Sequence, residues 1–159
     1  MGIGIRAMTR GDKPPLMQIL RRTPEFKPAE VVVAEEVIDA YLDDPQGSGY
    51  HTLVAEIGGA VVGYICFGPT PLTEGTWDIY WMAVDPDRRR QGIGGALMEA
   101  AEEPIRQAGG RLAMIETSSS PSYENTRRFH TRHGYETLAR IPDFYSIGDD
   151  MLIMRKLMR

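Results

Sequence analysis

The chain has 159 residues, of which 42% are hydrophobic and 25% charged, a composition typical of one globular domain with a buried core. Its formal net charge of −4 argues against a general nucleic-acid binder, because such proteins need basic residues to neutralise phosphates. No apolar run approaches the roughly 18 residues of a membrane-spanning helix. The N-terminus lacks the apolar segment of a signal peptide, and the single cysteine, Cys66, cannot form an internal disulfide. We therefore expect a cytoplasmic location, with neither a membrane nor a nucleic-acid partner.

Hydrophobic periodicity and turn residues predict seven strands and four helices. A short first strand at residues 3–5 is followed by a helix from about residue 11. Pro28 suits the first turn of a second helix, which runs to about residue 42. Gly58-Gly59 lies between two apolar runs and is a strong hairpin signal. The later predicted elements are strands at 51–57, 60–67, 76–84, 112–116, 135–140 and 151–157, and helices at 92–108 and 122–133.

In this order the antiparallel hairpins come first and β-α-β units follow, which predicts a mixed sheet with helices on its faces. No domain boundary is visible, so we expect one domain over residues 1–159. Pro104 lies inside the third predicted helix and is expected to weaken or kink it.

The most informative segment is Val84-Asp85-Pro86-Asp87-Arg88-Arg89-Arg90-Gln91-Gly92-Ile93-Gly94-Gly95-Ala96-Leu97. A strand ends, three arginines follow, and a glycine-rich step begins a helix. The first N–H groups of a helix lack partners, and the helix dipole makes that end positive, so the segment predicts an anion site. The spacing fits neither a Rossmann turn nor a P-loop. A turn with a solvated arginine run is the alternative.

The segment resembles the pyrophosphate motif of the GNAT superfamily, the general amine N-acetyltransferases. That motif, Arg/Gln-x-x-Gly-x-Gly/Ala, is matched by Arg89-Arg90-Gln91-Gly92-Ile93-Gly94, after the family-like strand end Val84-Asp85-Pro86. A second family element is an Asn followed by an ending of the form Phe/Leu-Tyr-x-x-x-Gly-Phe/Tyr. It resembles Asn125 and the run from Phe129 to Tyr135 in this chain. The element order agrees over nearly the whole chain. The resemblance implies one α/β domain whose mixed, mostly antiparallel sheet is splayed into a V, with helices on both faces.

The resemblance also implies acetyl-CoA as the cofactor, lying in the cleft of the V. Its pyrophosphate would sit on the backbone N–H groups from Arg89 onward, and its pantetheine arm would pair with the fourth strand. The cofactor-binding residues implied in this way are Met82, Ala83, Val84, Arg89, Arg90, Gln91, Gly92, Ile93, Gly94, Gly95, Ala96 and Asn125.

An acceptor amine has a pKa near 10.4, so it must lose a proton before it attacks. In the histone-acetylating branch of the family the base lies six residues before the motif valine, which corresponds to Asp78. Because aspartate is shorter than glutamate, its role as base would call for a relay water. An exposed strand carboxylate without a catalytic role is the alternative interpretation. Glu116, at the end of the fifth strand, is the alternative base.

The thiolate that leaves benefits from an acid. The family places a tyrosine four residues before the glycine that ends the last helix, and this chain has His130 there. Histidine titrates near neutral pH and could donate the proton, or His130 could be a surface residue of the helix. Tyr123 and Tyr145 are further candidates. Asp78 and Tyr80 share one face of their strand unless a bulge changes the alternation.

The resemblance implies an enzyme that acetylates a primary amine of a small metabolite by direct attack in a ternary complex. A protein N-terminus or a lysine is the nearest alternative acceptor, and the segment at residues 21–28 should decide between them. A CoA-binding regulatory module without turnover is a third possibility. We expect no metal site, because His51, His130 and His133 show no metal-ligand spacing with Cys66. A homodimer is possible, since a mixed sheet leaves edges that another subunit can cover.

Overall fold

A computed structural model describes residues 2–158 and contains one seven-stranded sheet with four α-helices. The strands are β1 (Gly4–Ala7), β2 (His51–Ile57), β3 (Ala60–Pro69), β4 (Thr76–Val84), β5 (Leu112–Ser118), β6 (Glu136–Ser146) and β7 (Asp149–Leu157). The helices are α1 (Lys13–Arg22), α2 (Pro28–Asp43), α3 (Ile93–Gln107) and α4 (Glu124–Arg132). In the part of the chain described, no helix combines the length and the apolar character needed to cross a membrane.

The strand order in the sheet is β1-β2-β3-β4-β5-β7-β6, and every neighbouring pair is antiparallel except β4 and β5. Those two strands are parallel because α3 carries the chain across the sheet between them. Their pairing runs from Thr76 opposite Leu112 to Ile79 opposite Ile115 and ends there. From Tyr80 onward β4 has no strand on that side among residues 2–158, so the sheet opens into a V. The predicted fold class is confirmed.

Two apolar cores hold the helices on opposite faces of the sheet. Ile93, Leu97 and Ile105 recur along α3 at helical spacing and pack with Ile79 of β4 on one face. On the other face the core consists of residues from α1, α2, β2, β3 and β4: Leu16, Ile19, Leu20, Ala34, Ile38, Val54, Tyr64, Cys66 and Ala83. The splay of the sheet therefore opens between two well-packed layers.

The last hairpin is longer than predicted. Residues 135–140 and 151–157 were expected as strands, whereas β6 extends to Ser146 and β7 begins at Asp149. Pro142 and the polar residues after it favour a loop in the sequence, but an edge strand tolerates a proline because one side of it needs no partner. The pairing is interrupted between Ile141 and Ser146, and Asp143 has a φ of 57°. β6 is exposed along its length, and the homodimer stays a prediction.

Three smaller features can be compared with the sequence expectations. α3 is continuous from Ile93 to Gln107 and does not end at Pro104, which lies in its last turn; the kink stays a prediction. α4 begins at Glu124 after a short 3-10 turn at Pro121–Tyr123, two residues later than predicted. β4 contains a bulge, because Cys66 pairs with Trp81 whereas the next residue, Phe67, pairs with Ile79. Tyr80 is therefore the extra residue in β4.

Candidate active site

A cleft of about 600 Å³ lies where β4 and β5 separate. It is bounded by both strands, the first turns of α2, one side of α4 and the β6–β7 hairpin. The residues that line it and enter the arguments below are Phe26, Lys27, Glu30, Asp78, Tyr80, Trp81, Met82, Met114, Glu116, Ser118, Tyr123, Thr126, His130, Tyr145 and Asp149. The structure thus brings all the predicted catalytic candidates, Asp78, Glu116, His130, Tyr123 and Tyr145, to one cavity.

The segment before α3 presents a continuous series of backbone donors. The N–H groups of residues 89–95 have no backbone acceptor within residues 2–158, and the first helical bond of α3 is donated by Ala96 to Gly92. Gly92 and Arg90 have φ angles of 80° and 67°, which turn the chain tightly into the helix. These donors stand at the positive end of the α3 dipole, an arrangement that fits a phosphate or diphosphate group.

The arginine run is only partly solvated. Arg89 pairs with Glu25 of the segment between α1 and α2, with Nη2 3.1 and 3.2 Å from the two carboxylate oxygens. Arg22, the last residue of α1, reaches back to Asp85 at 3.2 Å and to Asp87 at 3.0 Å. The anion-binding segment is therefore connected by ion pairs to the chain that enters the cleft at Phe26.

The edge of β4 that faces the gap supplies further hydrogen-bonding groups. Met82 lines the cleft, whereas the side chain of Ala83 is buried against the α1 and α2 layer and Val84 packs against the α3 layer. Their backbone groups on the β5 side have no strand partner within the described chain. An extended ligand with amide groups could pair with this edge while its anionic end reaches the donors before α3. The chain's residues thus fit a long ligand such as CoA.

Other positions assigned to the cofactor have different surroundings. Asn125 lies on the exposed side of α4 and is not in the cleft lining, although its neighbour Thr126 is. A Cβ atom built on Gly94 would lie 3.0 Å from Phe129, and one on Gly95 would lie 3.1 Å from His133. These two glycines therefore also permit the close approach of α3 to α4.

Asp78 is partly buried and held by two hydroxyl groups. Thr70 donates a hydrogen bond of 2.6 Å to Oδ2, and the Tyr80 hydroxyl lies 3.4 Å from the same oxygen. Asp78 and Tyr80 thus share one face, as predicted, and the bulge instead brings Trp81 to that face beside them. Burial, and secondarily the charge of Asp78, raises the pKa of Tyr80 to about 12, so this phenol stays protonated.

Glu116 is an exposed residue of β5 on the same side of the sheet as Asp78. It comes two residues after Met114, which is paired with Asp78 across the seam between the strands. No hydrogen bond or ion pair holds its carboxylate within residues 2–158, so the group is free to meet a ligand in the cleft.

The histidine expected to titrate near neutrality is neutral instead. His130 is 5% exposed, and burial, with a smaller contribution from His133, lowers its pKa to about 4. Its Nδ1 atom is buried and has no hydrogen-bond partner in the described part of the chain. At pH 7 the imidazole can donate or accept a hydrogen bond but carries no extra proton.

The two tyrosines near His130 stay protonated at neutral pH. Tyr123 donates a hydrogen bond of 2.9 Å to Glu30, and burial followed by the Glu30 carboxylate raises its pKa. Burial also raises the pKa of Tyr145, with smaller contributions from Glu116 and Asp149. Sequence reasoning did not anticipate Glu30 or Asp149 as parts of the site, because their distance in the chain leaves no local pattern.

Comparison with known proteins agrees with this geometry. Residues 14–135 match the family model described as the acetyltransferase (GNAT) family. A solved structure from Desulfovibrio desulfuricans, described as a GNAT-family acetyltransferase, is 38% identical and superposes with a TM-score of 0.95 over 99% of this chain and 100% of that one. The chain belongs to the acetyltransferase (GNAT) family.

Two further proteins are similar to this GNAT chain, one in sequence and one in fold. An uncharacterised N-acetyltransferase of Methanocaldococcus jannaschii is 35% identical over 104 residues, which are 65% of this chain and 64% of that protein. The chain thus spans less than two thirds of the curated relatives it matches. The PaiA N-acetyltransferase from Thermoplasma acidophilum, solved in complex with coenzyme A, is 16% identical and has the same fold, with a TM-score of 0.77 over 99% of both chains.

Proposed function

We propose that the protein is an acetyl-CoA-dependent N-acetyltransferase whose acceptor is a primary amine of a small metabolite. The observation that carries the proposal is the continuity of three features. The free N–H groups of residues 89–95 follow the unpaired edge of β4 in the chain, and Met82 of that edge lines the cleft that contains Asp78. The first two suit a long ligand with a diphosphate, and the third suits an amine.

Acetyl-CoA supplies an acetyl group activated as a thioester when it is bound. We assign its diphosphate to the N–H groups of residues 89–95, with charge from the arginines. We assign its extended arm to the backbone of Met82, Ala83 and Val84. Asn125 is exposed on α4, so we assign it at most a contact at the edge of the cofactor site.

Acetyl transfer forms a C–N bond and breaks a C–S bond, so the amine nitrogen loses a proton and the sulfur gains one. Asp78 is our proposed base, acting directly or through a water. The hydrogen bond from Thr70 fixes the orientation of Asp78 and leaves one carboxylate oxygen available. Glu116 remains the alternative base because it lines the same cleft and has no competing partner.

The departing sulfur needs a proton, and the neutral imidazole of His130 changes the role that we assign to this residue. Neutral His130 has no extra proton at pH 7, so we assign it a hydrogen bond to the departing sulfur or to the acetyl oxygen. Tyr123 carries a phenolic proton throughout the physiological range and is our proposed proton donor. In this structure that proton is donated to Glu30, so the hydroxyl has to turn from Glu30 to the sulfur before it transfers the proton.

The test is a measurement of acetyl-CoA binding and turnover. Calorimetry should detect CoA binding that weakens with salt, because phosphate contacts dominate it. Release of free thiol should depend on an added amine, and mass spectrometry should find the acetylated amine. Binding without release for any amine would support a CoA-binding regulatory module instead. Absence of both binding and release would overturn the proposal.

A peptide amine is the second candidate acceptor, and one feature of the β6–β7 hairpin supports it. Phe144 is 53% exposed and packs edge-on against Tyr145, with the ring centroids 5.0 Å apart. Ile147, at the turn, is 96% exposed. These apolar groups lie next to the cleft wall formed by Tyr145 and could contact side chains that flank an N-terminal residue. Peptides therefore belong in the amine panel.

A further inference from the structure

Four carboxylates of the cleft have no positively charged partner among the residues that the structure describes. Glu30, Asp78, Glu116 and Asp149 all line the cavity. Within residues 2–158, none of them forms an ion pair within 4.0 Å. Their hydrogen-bond donors are neutral: Tyr123 and the Lys27 amide for Glu30, Thr70 and Tyr80 for Asp78, and Ser118 for Asp149.

Buried or partly buried acids elsewhere in the molecule are neutralised. Asp12 pairs with Arg6 at 2.8 Å, Glu25 with Arg89 at 3.1 Å, and Glu102 with Lys156 at 2.8 Å. Lys27, a basic residue of the cleft lining, is exposed and forms no ion pair within residues 2–158. Like charges gathered in a partly desolvated cavity repel one another, so the cleft favours a ligand that brings positive charge.

The four carboxylates are spread along the cleft and do not form a compact cluster that could bind a single ion. No three His, Cys, Asp or Glu side chains within residues 2–158 are close enough to hold one metal ion. Asp78 and Glu116 are separated by one inter-strand spacing and a two-residue rise, which puts their Cα atoms roughly 8 Å apart. Glu116, Asp149 and Glu30 line the cleft together with Tyr145, and their charges contribute to raising the pKa of that tyrosine. One carboxylate therefore lies at the seam, and three lie farther along the cleft.

The walls between these acids suit an alkyl chain with charged ends. Phe26 packs edge-on against Trp81, with centroids 5.8 Å apart, and both line the cleft with Tyr80 and Tyr145. Aromatic faces attract ammonium groups and also cover methylene groups. Independently of the acids, the same cavity is lined by His130, a buried side chain whose Nδ1 atom has no hydrogen-bond partner within residues 2–158.

We infer that the acceptor is an aliphatic diamine or polyamine. Its reacting nitrogen faces Asp78, and a second ammonium group is held by Glu30, Glu116 and Asp149. The aliphatic spacer lies along the aromatic wall. This inference rests on the proposed function and narrows its acceptor from a primary amine to a primary amine with a second positive charge.

The experiment compares 1,4-diaminobutane with butylamine, which has the same carbon chain and lacks the second charge. At a fixed acetyl-CoA concentration we expect kcat/KM to be about 100-fold higher for the diamine, from two charge-assisted contacts. Calorimetry on the protein saturated with CoA should show diamine binding that is much tighter than butylamine binding.

Two isosteric variants locate the second ammonium group. Glu30→Gln and Asp149→Asn should each reduce the diamine-to-butylamine ratio of kcat/KM about tenfold, and should weaken diamine binding similarly. Glu36→Gln, on the exposed side of the same helix as Glu30, is the matched control and should keep the ratio. Circular dichroism and CoA affinity report whether each variant is folded.

The outcomes separate the two levels of the proposal. Equal kcat/KM values for butylamine and the diamine would overturn the diamine inference while the N-acetyltransferase proposal stands. A preference for peptides whose N-terminal amine is their only charged group would have the same meaning. Diamine binding without acetylation of any amine would instead reject the proposed function and keep the cation site. A diamine-to-butylamine ratio of kcat/KM that is unchanged in both variants would show that Glu30 and Asp149 do not hold the second ammonium group.

Discussion

Glu25 holds Arg89 through both carboxylate oxygens, at 3.1 and 3.2 Å from Nη2. Glu25 is only 15% exposed at its side chain, so the pair is better sheltered from solvent than most surface ion pairs. It joins the segment between α1 and α2, which carries Phe26 into the cleft, to the loop assigned to the diphosphate. An incoming phosphate therefore competes with Glu25 for the same guanidinium group.

Removing that competition should strengthen cofactor binding. Glu25→Gln keeps the shape and deletes the charge, so Arg89 becomes available to the phosphates. We expect the Kd for CoA to fall about two- to fivefold at low salt, the scale of one partly exposed ion pair. Calorimetry at two salt concentrations measures it. Glu36→Gln removes the same charge from the outer side of α2 and should leave the Kd as it was. A higher Kd for Glu25→Gln would mean that the pair holds Arg89 in its binding position.

The low pKa of His130 makes stability depend on pH. Its pKa is about 4 in the folded protein and near 6.5 when unfolded, so the unfolded state takes up the proton first as pH falls. The free energy of unfolding should therefore decrease between pH 6.5 and 4, by on the order of 3 kcal/mol from this residue. Above pH 6.5 the imidazole is neutral in both states and contributes no dependence.

Urea unfolding at several pH values tests this expectation. His130→Gln keeps a polar side chain without a titrating group and should flatten the slope in that window. His133→Gln is the control, and the slope should persist because His130 is still present. A slope that is the same in wild type and His130→Gln would show that the imidazole is accessible to protons in the folded state.

The base can be identified by its effect on kcat. Asp78→Asn should lower kcat roughly 100-fold, the scale of general-base assistance, and shift the rising limb of the pH–rate profile upward. CoA affinity should stay constant because Asp78 lies away from residues 89–95. Thr70→Val removes the 2.6 Å hydrogen bond and should have a smaller effect in the same direction. Full activity of Asp78→Asn across pH, combined with loss in Glu116→Gln, would transfer the role to Glu116.

Gly94 should be important for packing as well as for phosphate. A Cβ atom at this position meets Phe129 at 3.0 Å, so Gly94→Ala is expected to cost about 1–2 kcal/mol of stability through overpacking. Phe129→Leu should partly restore the loss by making room. A double-mutant cycle in urea measures the coupling. Additive effects would show that α4 shifts freely and that the close approach carries no strain.

The element order was predictable because each helix and strand carries its own apolar periodicity. The anion loop was equally visible, since Arg89 to Gly94 are contiguous. The end of β6 was not, because Pro142 and Asp143 look like a loop unless the strand is known to be an edge. The bulge at Tyr80 and the burial of His130 depend on contacts between distant segments. For the same reason Glu30 and Asp149 joined the candidate site only once the chain was folded.

The four-pair seam between β4 and β5 has a consequence for folding kinetics. The β2–β3, β3–β4 and β6–β7 pairs are antiparallel hairpins with short connections, whereas the seam, like the β1–β2 and β5–β7 pairings, closes only after the helix or strand between its two partners has been made. We expect the three hairpins to form first, and the seam to close later together with the other long-range pairings. A ligand that lies along the open edge of β4 needs a closed seam to bind, so it should slow unfolding without accelerating folding.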